Sequence, residues 1–107
     1  MKKAMIVLMS AAGLIAGAAG AADIAAGKEK AAMCAACHGP DGNTPMLPDY
    51  PKLAGQPADY LAKALRDYQS GARKNPLMAP MAQSLTKKDI KNVAAYFARL
   101  KGDLTDK

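Results

Sequence analysis

The sequence predicts an all-α domain in which three main helices are joined by long loops. Two segments in the second half of the chain repeat apolar residues at the spacing of one helix face. No segment shows the sustained alternation of apolar and polar residues that a half-buried strand would require. The connecting segments are rich in proline and glycine, which interrupt regular structure.

Residues 1–21 have the three-part pattern of a secretory signal peptide. Two lysines follow the initial Met, residues 4–15 form an apolar run broken by one Ser and one Gly, and "AGA" at 19–21 fits a cleavage site. The run is short for a membrane anchor, which needs about 20 apolar residues. We therefore expect cleavage, export to the periplasm without stable membrane insertion, and one mature domain over residues 22–107.

The composition of this domain limits both its core and its partners. Its 86 residues contain no Trp, one Phe and four Tyr. Domains of this size bury little apolar surface and usually need a disulfide, a metal or another staple. Without the two leader lysines, 13 basic residues face 9 acidic ones, a net charge of +4. Because the lysines are scattered and no aromatic platform alternates with them, no nucleic-acid partner is expected.

The first predicted helix runs from about Ile24 to Ala36, with Asp23 as its capping residue. It carries the two cysteines on its last turns. The following run, residues 39–55, contains four prolines and three glycines, which predicts a long connecting loop. Loops of this length inside a small domain are usually functional.

The second and third predicted helices each present an apolar stripe. Pro57 opens the second helix and Gly71 closes it. A proline-containing loop with two methionines, residues 72–85, follows. Thr86 and Asp89 then predict a capping box for the third helix, which ends before Gly102. The stripes consist of Tyr60, Leu61, Ala64, Leu65 and Tyr68 in the second helix and Ile90, Val93, Ala94, Phe97 and Leu100 in the third.

The stretch "CAACH", residues 34–38, concentrates both cysteines and the only histidine. A thioredoxin-like dithiol would need a strand leading into the helix, and none is predicted. A structural zinc site needs four ligands, so a carboxylate would have to complete the set. A disulfide between Cys34 and Cys37 would close a very small loop and would therefore constrain little of the unfolded chain. None of these alternatives uses the position of His38.

Covalent haem attachment accounts for all three residues, since Cys-x-x-Cys-His is its signature. Cys34 and Cys37 would form thioethers with the two porphyrin vinyl groups, and His38 would ligate the iron. The single motif predicts one haem c. A large, flat apolar cofactor would also supply the core that the side chains lack.

The sixth iron ligand decides between electron transfer and gas binding. No second histidine exists, so the candidates in the mature chain are the thioethers of Met33, Met46, Met78 and Met81. The first two are poorly placed, because Met33 shares the helix of the cysteines and Met46 follows His38 closely. One of Met78 and Met81 is expected to ligate, and the other to pack in the interior.

The haem motif stands in a wider pattern, "AAGKEKAAMCAACHGPDGN" over residues 25–43 followed by the segment from Tyr50 to Leu100. This pattern resembles a class I cytochrome c with a single haem, with "PKLAGQ" and "AAYF" as further matching segments. It is most similar to one half of the bacterial di-haem cytochromes of the c-four type and to their short single-haem relatives. The resemblance covers essentially all of the mature chain.

The resemblance implies a small cytochrome c fold, with three main helices and long loops wrapped around one covalently bound haem. It implies thioether bonds at Cys34 and Cys37 and His38 as the proximal ligand. The distal methionine of the family falls eight positions before the cap of the last helix, which favours Met78 over Met81.

The resemblance also implies two supporting contacts. The first and last helices are expected to cross where Gly27 faces Tyr96 or Phe97. A loop proline carbonyl, that of Pro48, is expected to accept a hydrogen bond from the ring of His38.

The function that follows is one-electron transfer rather than enzymatic catalysis. The resemblance implies a periplasmic shuttle, monomeric or weakly dimeric, between respiratory partners such as a quinol-oxidising cytochrome complex and a terminal oxidase or reductase. Two alternatives stay open. One is a haem-based gas-binding or sensing protein with an open or weakly ligated iron, and the other is an electron-entry subunit of an enzyme complex.

Overall fold

The computed structural model describes residues 21–105, whose regular secondary structure consists of four α-helices. The all-α prediction is therefore confirmed. The signal-peptide prediction falls outside the described residues except at Ala21. Between residues 21 and 105, no helix combines the length and the apolar character that crossing a bilayer would require. The helices are α1 (Ile24–His38), α2 (Ala58–Ser70), α3 (Met78–Gln83) and α4 (Lys87–Ala98).

Helix α1 begins as predicted and ends two residues later than predicted. The carboxylate of Asp23 accepts a hydrogen bond from the backbone N–H of Ala26 at 3.0 Å. At the other end, the N–H of Gly39 donates to the carbonyl of Ala35 at 3.0 Å. Because no helix-breaking residue precedes Gly39, the helix continues through His38. The whole haem motif therefore lies on one continuous helix.

Helices α1 and α4 pack closely at Gly27. A Cβ atom on Gly27 would lie 2.6 Å from the carbonyl carbon of Asn92 and 3.1 Å from the Cβ atom of Tyr96. Only a residue without a side chain allows the two backbones to approach this far. The predicted contact with Tyr96 is confirmed, whereas Phe97 is buried in the core instead.

Replacing Gly27 by alanine is expected to lower the free energy of unfolding of the haem-loaded protein by about 1–2 kcal/mol. An added methyl group in a tight contact costs roughly 1–3 kcal/mol, which exceeds the gain of about 0.5–1 kcal/mol in helix propensity. Urea denaturation measures the change, with Ala32→Ser on the exposed face of α1 as control. A stabilised Gly27→Ala variant would contradict the close crossing.

The hydrophobic core lies where α1, α2 and α4 meet. Its buried cluster consists of Ala31, Leu61, Val93, Ala94 and Phe97. Four of the nine buried apolar residues in the described chain are alanine, and none of its large side chains is fully buried. Alanine contributes little apolar area. The side chains alone therefore form a small core, as the composition predicts.

The predicted loop over residues 72–85 contains a short helix, α3. The side-chain oxygen of Asn75 accepts hydrogen bonds from the N–H groups of Leu77 at 2.8 Å and Met78 at 3.0 Å, in the turn that leads into the helix. Pro80 lies in the first turn, where a missing N–H is tolerated. The sequence-based prediction was wrong here because it treated this proline as a helix breaker.

Two glutamine side chains connect α3 to α2. The amide of Gln69 donates to the carbonyls of Ala82 at 2.8 Å and Leu85 at 2.9 Å. The amide of Gln83 donates in return to the carbonyl of Gln69 at 2.8 Å. These bonds hold the methionine-bearing segment against the rest of the domain.

Helix α4 begins with the predicted capping box. The hydroxyl of Thr86 accepts from the N–H of Asp89 at 3.0 Å, and the Asp89 carboxylate accepts from the N–H of Thr86 at 2.9 Å. The backbone hydrogen bond from Thr86 lowers the pKa of the Asp89 carboxyl, and nearby Lys30 lowers it further. The box thus pairs two backbone N–H groups that the helix itself leaves without partners.

Replacing Thr86 by alanine is expected to lower the free energy of unfolding by about 1 kcal/mol, the usual cost of losing an N-cap side chain. Chemical denaturation of the haem-loaded protein measures this change. Thr86→Ser, which keeps the hydroxyl, serves as the control. Its free energy of unfolding is expected to be close to that of the unsubstituted protein. Equal destabilisation by both substitutions would show that the methyl group, rather than the cap, is responsible.

Candidate haem-binding site

The last turn of α1 brings together the two cysteines and the histidine of the motif. Cys34 is half-buried, Cys37 is exposed and the side chain of His38 is buried. Both cysteines are free thiols. Burial raises the pKa of the Cys34 thiol, and the neighbouring Cys37 raises it further. Both effects disfavour the thiolate form of Cys34.

The ring of His38 is held by the long loop that follows α1. Its Nδ1 lies 2.8 Å from the carbonyl oxygen of Pro51. Because a carbonyl only accepts hydrogen bonds, Nδ1 is the donor, and in the neutral ring the lone pair is then on Nε2. Metal-bound histidines usually have this arrangement, in which one ring nitrogen donates and the other ligates.

The acceptor is Pro51 and not Pro48, so the predicted proline was wrong. Pro48 lies inside a turn that is closed by a 3.1 Å hydrogen bond from the N–H of Tyr50 to the carbonyl of Leu47. That turn leaves Pro48 exposed. The sequence offered one signal for the correct residue, since Pro51 opens the "PKLAGQ" segment.

Backbone hydrogen bonds fold residues 39–55 so that Pro51 can reach the histidine. The carbonyl of Gly42 accepts from the N–H groups of Leu53 at 2.7 Å and Ala54 at 3.0 Å, which joins the two arms of the loop. The N–H of Met46 donates to the carbonyl of Cys37 at 2.9 Å and ties the loop to the end of α1. The hydrogen bond to His38 is thus a product of tertiary folding.

The four candidate methionines occupy different environments. Met78 and Met81 lie three positions apart on α3, both half-buried, so they share one side of that helix. The sulfur of Met33 lies 4.0 Å from the hydroxyl oxygen of Ser84. The side chain of Met46 is 66% exposed. The α3 pair therefore stays the best candidate for an iron ligand.

Cys34, Cys37 and His38 fit haem attachment better than a zinc site or a thioredoxin-like dithiol. Within residues 21–105, His, Cys, Asp and Glu side chains form no group of three that could hold a metal ion, which leaves a zinc site without support. The same residues include no strand to precede a dithiol motif. Two free thiols one helical turn apart, followed by a buried imidazole with an available Nε2, meet the requirements of a covalently bound haem.

The profile of the cytochrome c family matches residues 24–101. This chain belongs to the cytochrome c family. Its cofactor is accordingly haem c, and the resemblance drawn from the sequence is confirmed.

Known cytochromes c confirm the resemblance to one half of a c4-type protein. The chain is 45% identical over 101 residues to cytochrome c4 of Pseudomonas aeruginosa, covering 94% of the chain and 50% of that relative. A crystal structure of reduced cytochrome c4 from Pseudomonas stutzeri matches with a TM-score of 0.71 at 42% identity, covering 78% of this chain and 48% of the other. The chain thus spans about half the length of the curated cytochromes c4 that it matches.

Two further relatives of this cytochrome c differ in size. The chain is 47% identical over 81 residues to cytochrome c-554(548) of Halomonas halodenitrificans, covering 73% of the chain and 96% of that relative. It is 43% identical over 77 residues to a thiosulfate dehydrogenase electron acceptor of Thiomonas intermedia, covering 72% of the chain and 36% of that relative.

Proposed function

We propose that this cytochrome c is a periplasmic one-electron carrier and not an enzyme. The proposed haem is bound through thioethers at Cys34 and Cys37, with His38 and Met78 as axial iron ligands. The observation that carries the proposal is the hydrogen bond between Nδ1 of His38 and the carbonyl of Pro51 at 2.8 Å. It leaves Nε2 of a buried histidine available beside two free thiols.

The surrounding residues are suited to holding a ligand still. The Pro51 carbonyl fixes both the tautomer and the orientation of the His38 ring, and burial of the ring limits its contact with water. Bound haem would supply a metal centre that takes up and releases one electron at a time. Rigid ligands suit this chemistry, because little has to rearrange between the two redox states.

Met78 is the better of the two methionine candidates. Its backbone N–H is anchored by the side chain of Asn75 at the start of α3. Met81 lies one turn later, and its carbonyl accepts from the N–H of Ser84 at the end of the helix. The position of Met78, eight residues before the cap at Thr86, matches the family pattern. Methionine opposite histidine raises the reduction potential of a haem.

The proposed partners are respiratory redox proteins, a quinol-oxidising cytochrome complex as donor and a terminal oxidase or reductase as acceptor. Such encounters use small interfaces and are steered by charge. The similarity to the thiosulfate dehydrogenase electron acceptor of Thiomonas intermedia favours a second candidate, an electron-accepting subunit paired with a substrate-oxidising enzyme. Both candidates use the same haem site and differ in the protein that supplies the electron.

The visible spectrum of the purified, dithionite-reduced protein, before and after addition of carbon monoxide, tests the proposed site. We expect a c-type spectrum that carbon monoxide leaves unchanged, because two strong axial ligands close the iron. A ready shift on carbon monoxide addition would instead support the gas-binding alternative. The mass of the mature protein tests export separately, since cleavage after Ala21 leaves Ala22 as the first residue.

A further inference from the structure

The segment that follows α4 turns back onto the long loop after α1, residues 39–55. Thr105 closes a tight turn with Gly102, whose carbonyl accepts from the Thr105 N–H at 3.0 Å and whose N–H donates to the Thr105 hydroxyl at 3.1 Å. Residues 102–105 contact residues 39–55 through pairs that are 51 and 60 positions apart in the chain.

Asp103 is the centre of this contact and binds both arms of the loop. Its backbone N–H donates to the side-chain oxygen of Asn43 at 2.8 Å, and its carboxylate accepts from the Asn43 amide at 3.3 Å. The other carboxylate oxygen forms an ion pair with Lys52. The hydrogen bonds from Lys52 and Asn43 lower the pKa of the Asp103 carboxyl, so it is charged at neutral pH.

The end of the loop is joined to the same region at Gly55. Its N–H donates to the carbonyl of Phe97 near the end of α4 at 3.0 Å. A Cβ atom on Gly55, where φ is +82°, would lie 2.5 Å from the methyl carbon of Thr105. The positive φ and this close approach both favour glycine. The loop end and the segment after α4 are therefore in direct contact.

The loop segment held in this way includes the carbonyl that orients the histidine. Pro51, the acceptor for Nδ1 of His38, directly precedes Lys52. We propose that Asn43, Lys52 and Asp103 form a clasp that keeps the Pro51 carbonyl against His38, which makes Asp103 a positioning residue for the proximal haem ligand. This inference rests on the proposed ligation of the iron by His38.

The action of the clasp is expected to be local. The side chains of Lys52 and Asp103 are 38% and 63% exposed, and exposed ion pairs add little to global stability. Their effect lies in restricting a loop, whose opening can occur without unfolding of the core. Loss of the clasp should therefore loosen the Pro51 to His38 hydrogen bond while the helices stay folded.

Exchange of the His38 Nδ1 proton with solvent, measured by NMR on the haem-loaded, reduced protein, reports directly on that hydrogen bond. We expect Asp103→Ala to accelerate the exchange by about tenfold, because local opening becomes more frequent. Asp49→Ala is the matched control. Asp49 is an exposed acid on the same loop, and its side chain has no hydrogen bond or ion pair within residues 21–105. In Asp49→Ala, the His38 Nδ1 proton is expected to exchange at the rate seen in the unsubstituted protein.

Asp103→Ala and Asp49→Ala each remove one negative charge. A difference between their exchange rates therefore reports on the clasp and not on net charge. The charge-swapped pair Lys52→Asp with Asp103→Lys is expected to restore slow exchange, and it keeps the test valid if Asp103→Ala folds poorly. Equal exchange in Asp103→Ala, Asp49→Ala and the unsubstituted protein would overturn the clasp. The carbon monoxide response of the unsubstituted protein tests the proposed haem site independently.

Discussion

Replacing Met78 by alanine is expected to open the iron to carbon monoxide and to lower the reduction potential. Loss of the Met78 thioether would remove the proposed ligand, which favours the reduced state. Axial ligands set haem potentials over a range of about 0.8 V, so we expect a fall of at least about 0.1 V. Titration of the potential and the visible spectrum with carbon monoxide measure both effects.

Met81→Ala is the matched control, because Met81 lies on the same short helix and is equally half-buried. It should leave the carbon monoxide response and the potential close to those of the unsubstituted protein. The opposite pattern, an open iron in Met81→Ala and a closed one in Met78→Ala, would move the ligand assignment to Met81. An open iron before any substitution would remove methionine ligation from the proposal.

The second large effect is expected when both cysteines of the proposed haem attachment are replaced. The variant Cys34→Ala with Cys37→Ala should lose most of its far-UV helical signal. Within residues 21–105, four of the nine buried apolar residues are alanine, so the side chains offer little apolar area to offset the entropy of folding. Circular dichroism of the exported variant, compared with the haem-loaded protein, measures the change.

The single variant Cys34→Ala separates attachment from side-chain packing. It retains one thiol for a thioether and should keep haem and most of its helical signal. A double variant that is as helical as the haem-loaded protein would show that the side-chain core suffices for folding. That outcome would contradict the structural role of the haem while leaving its proposed redox role intact.

Most of the fold could be predicted because its signals are local. The Asp23 cap, the Thr86 and Asp89 capping box and the apolar stripes each depend on residues within one or two helical turns. The end of α1 and the existence of α3 were missed for local reasons as well. Proline tolerance depends on its position in the turn, and the hydrogen bonds from the N–H groups of Leu77 and Met78 to the Asn75 side chain were not anticipated.

Partners that are distant in the chain were predicted less well. Gly27 was expected to pack against Tyr96 or Phe97. In the structure it packs against Tyr96 and the backbone of Asn92. The acceptor for His38 was expected at Pro48 and lies at Pro51. A shift of three residues in a loop changes no composition or spacing pattern, so tertiary contacts such as the hydrogen bonds to the Gly42 carbonyl decide it.

The sequence by itself determined the family, the cofactor and the helical class of this protein, because five adjacent residues and the helix signals specify them within short stretches of chain. The tertiary structure alone decided which carbonyl holds His38 and how Asp103 reaches both arms of the loop. Those contacts join residues 13, 51 and 60 positions apart. They depend on how the loops close over the packed helices, and no local pattern of residue types encodes that closure.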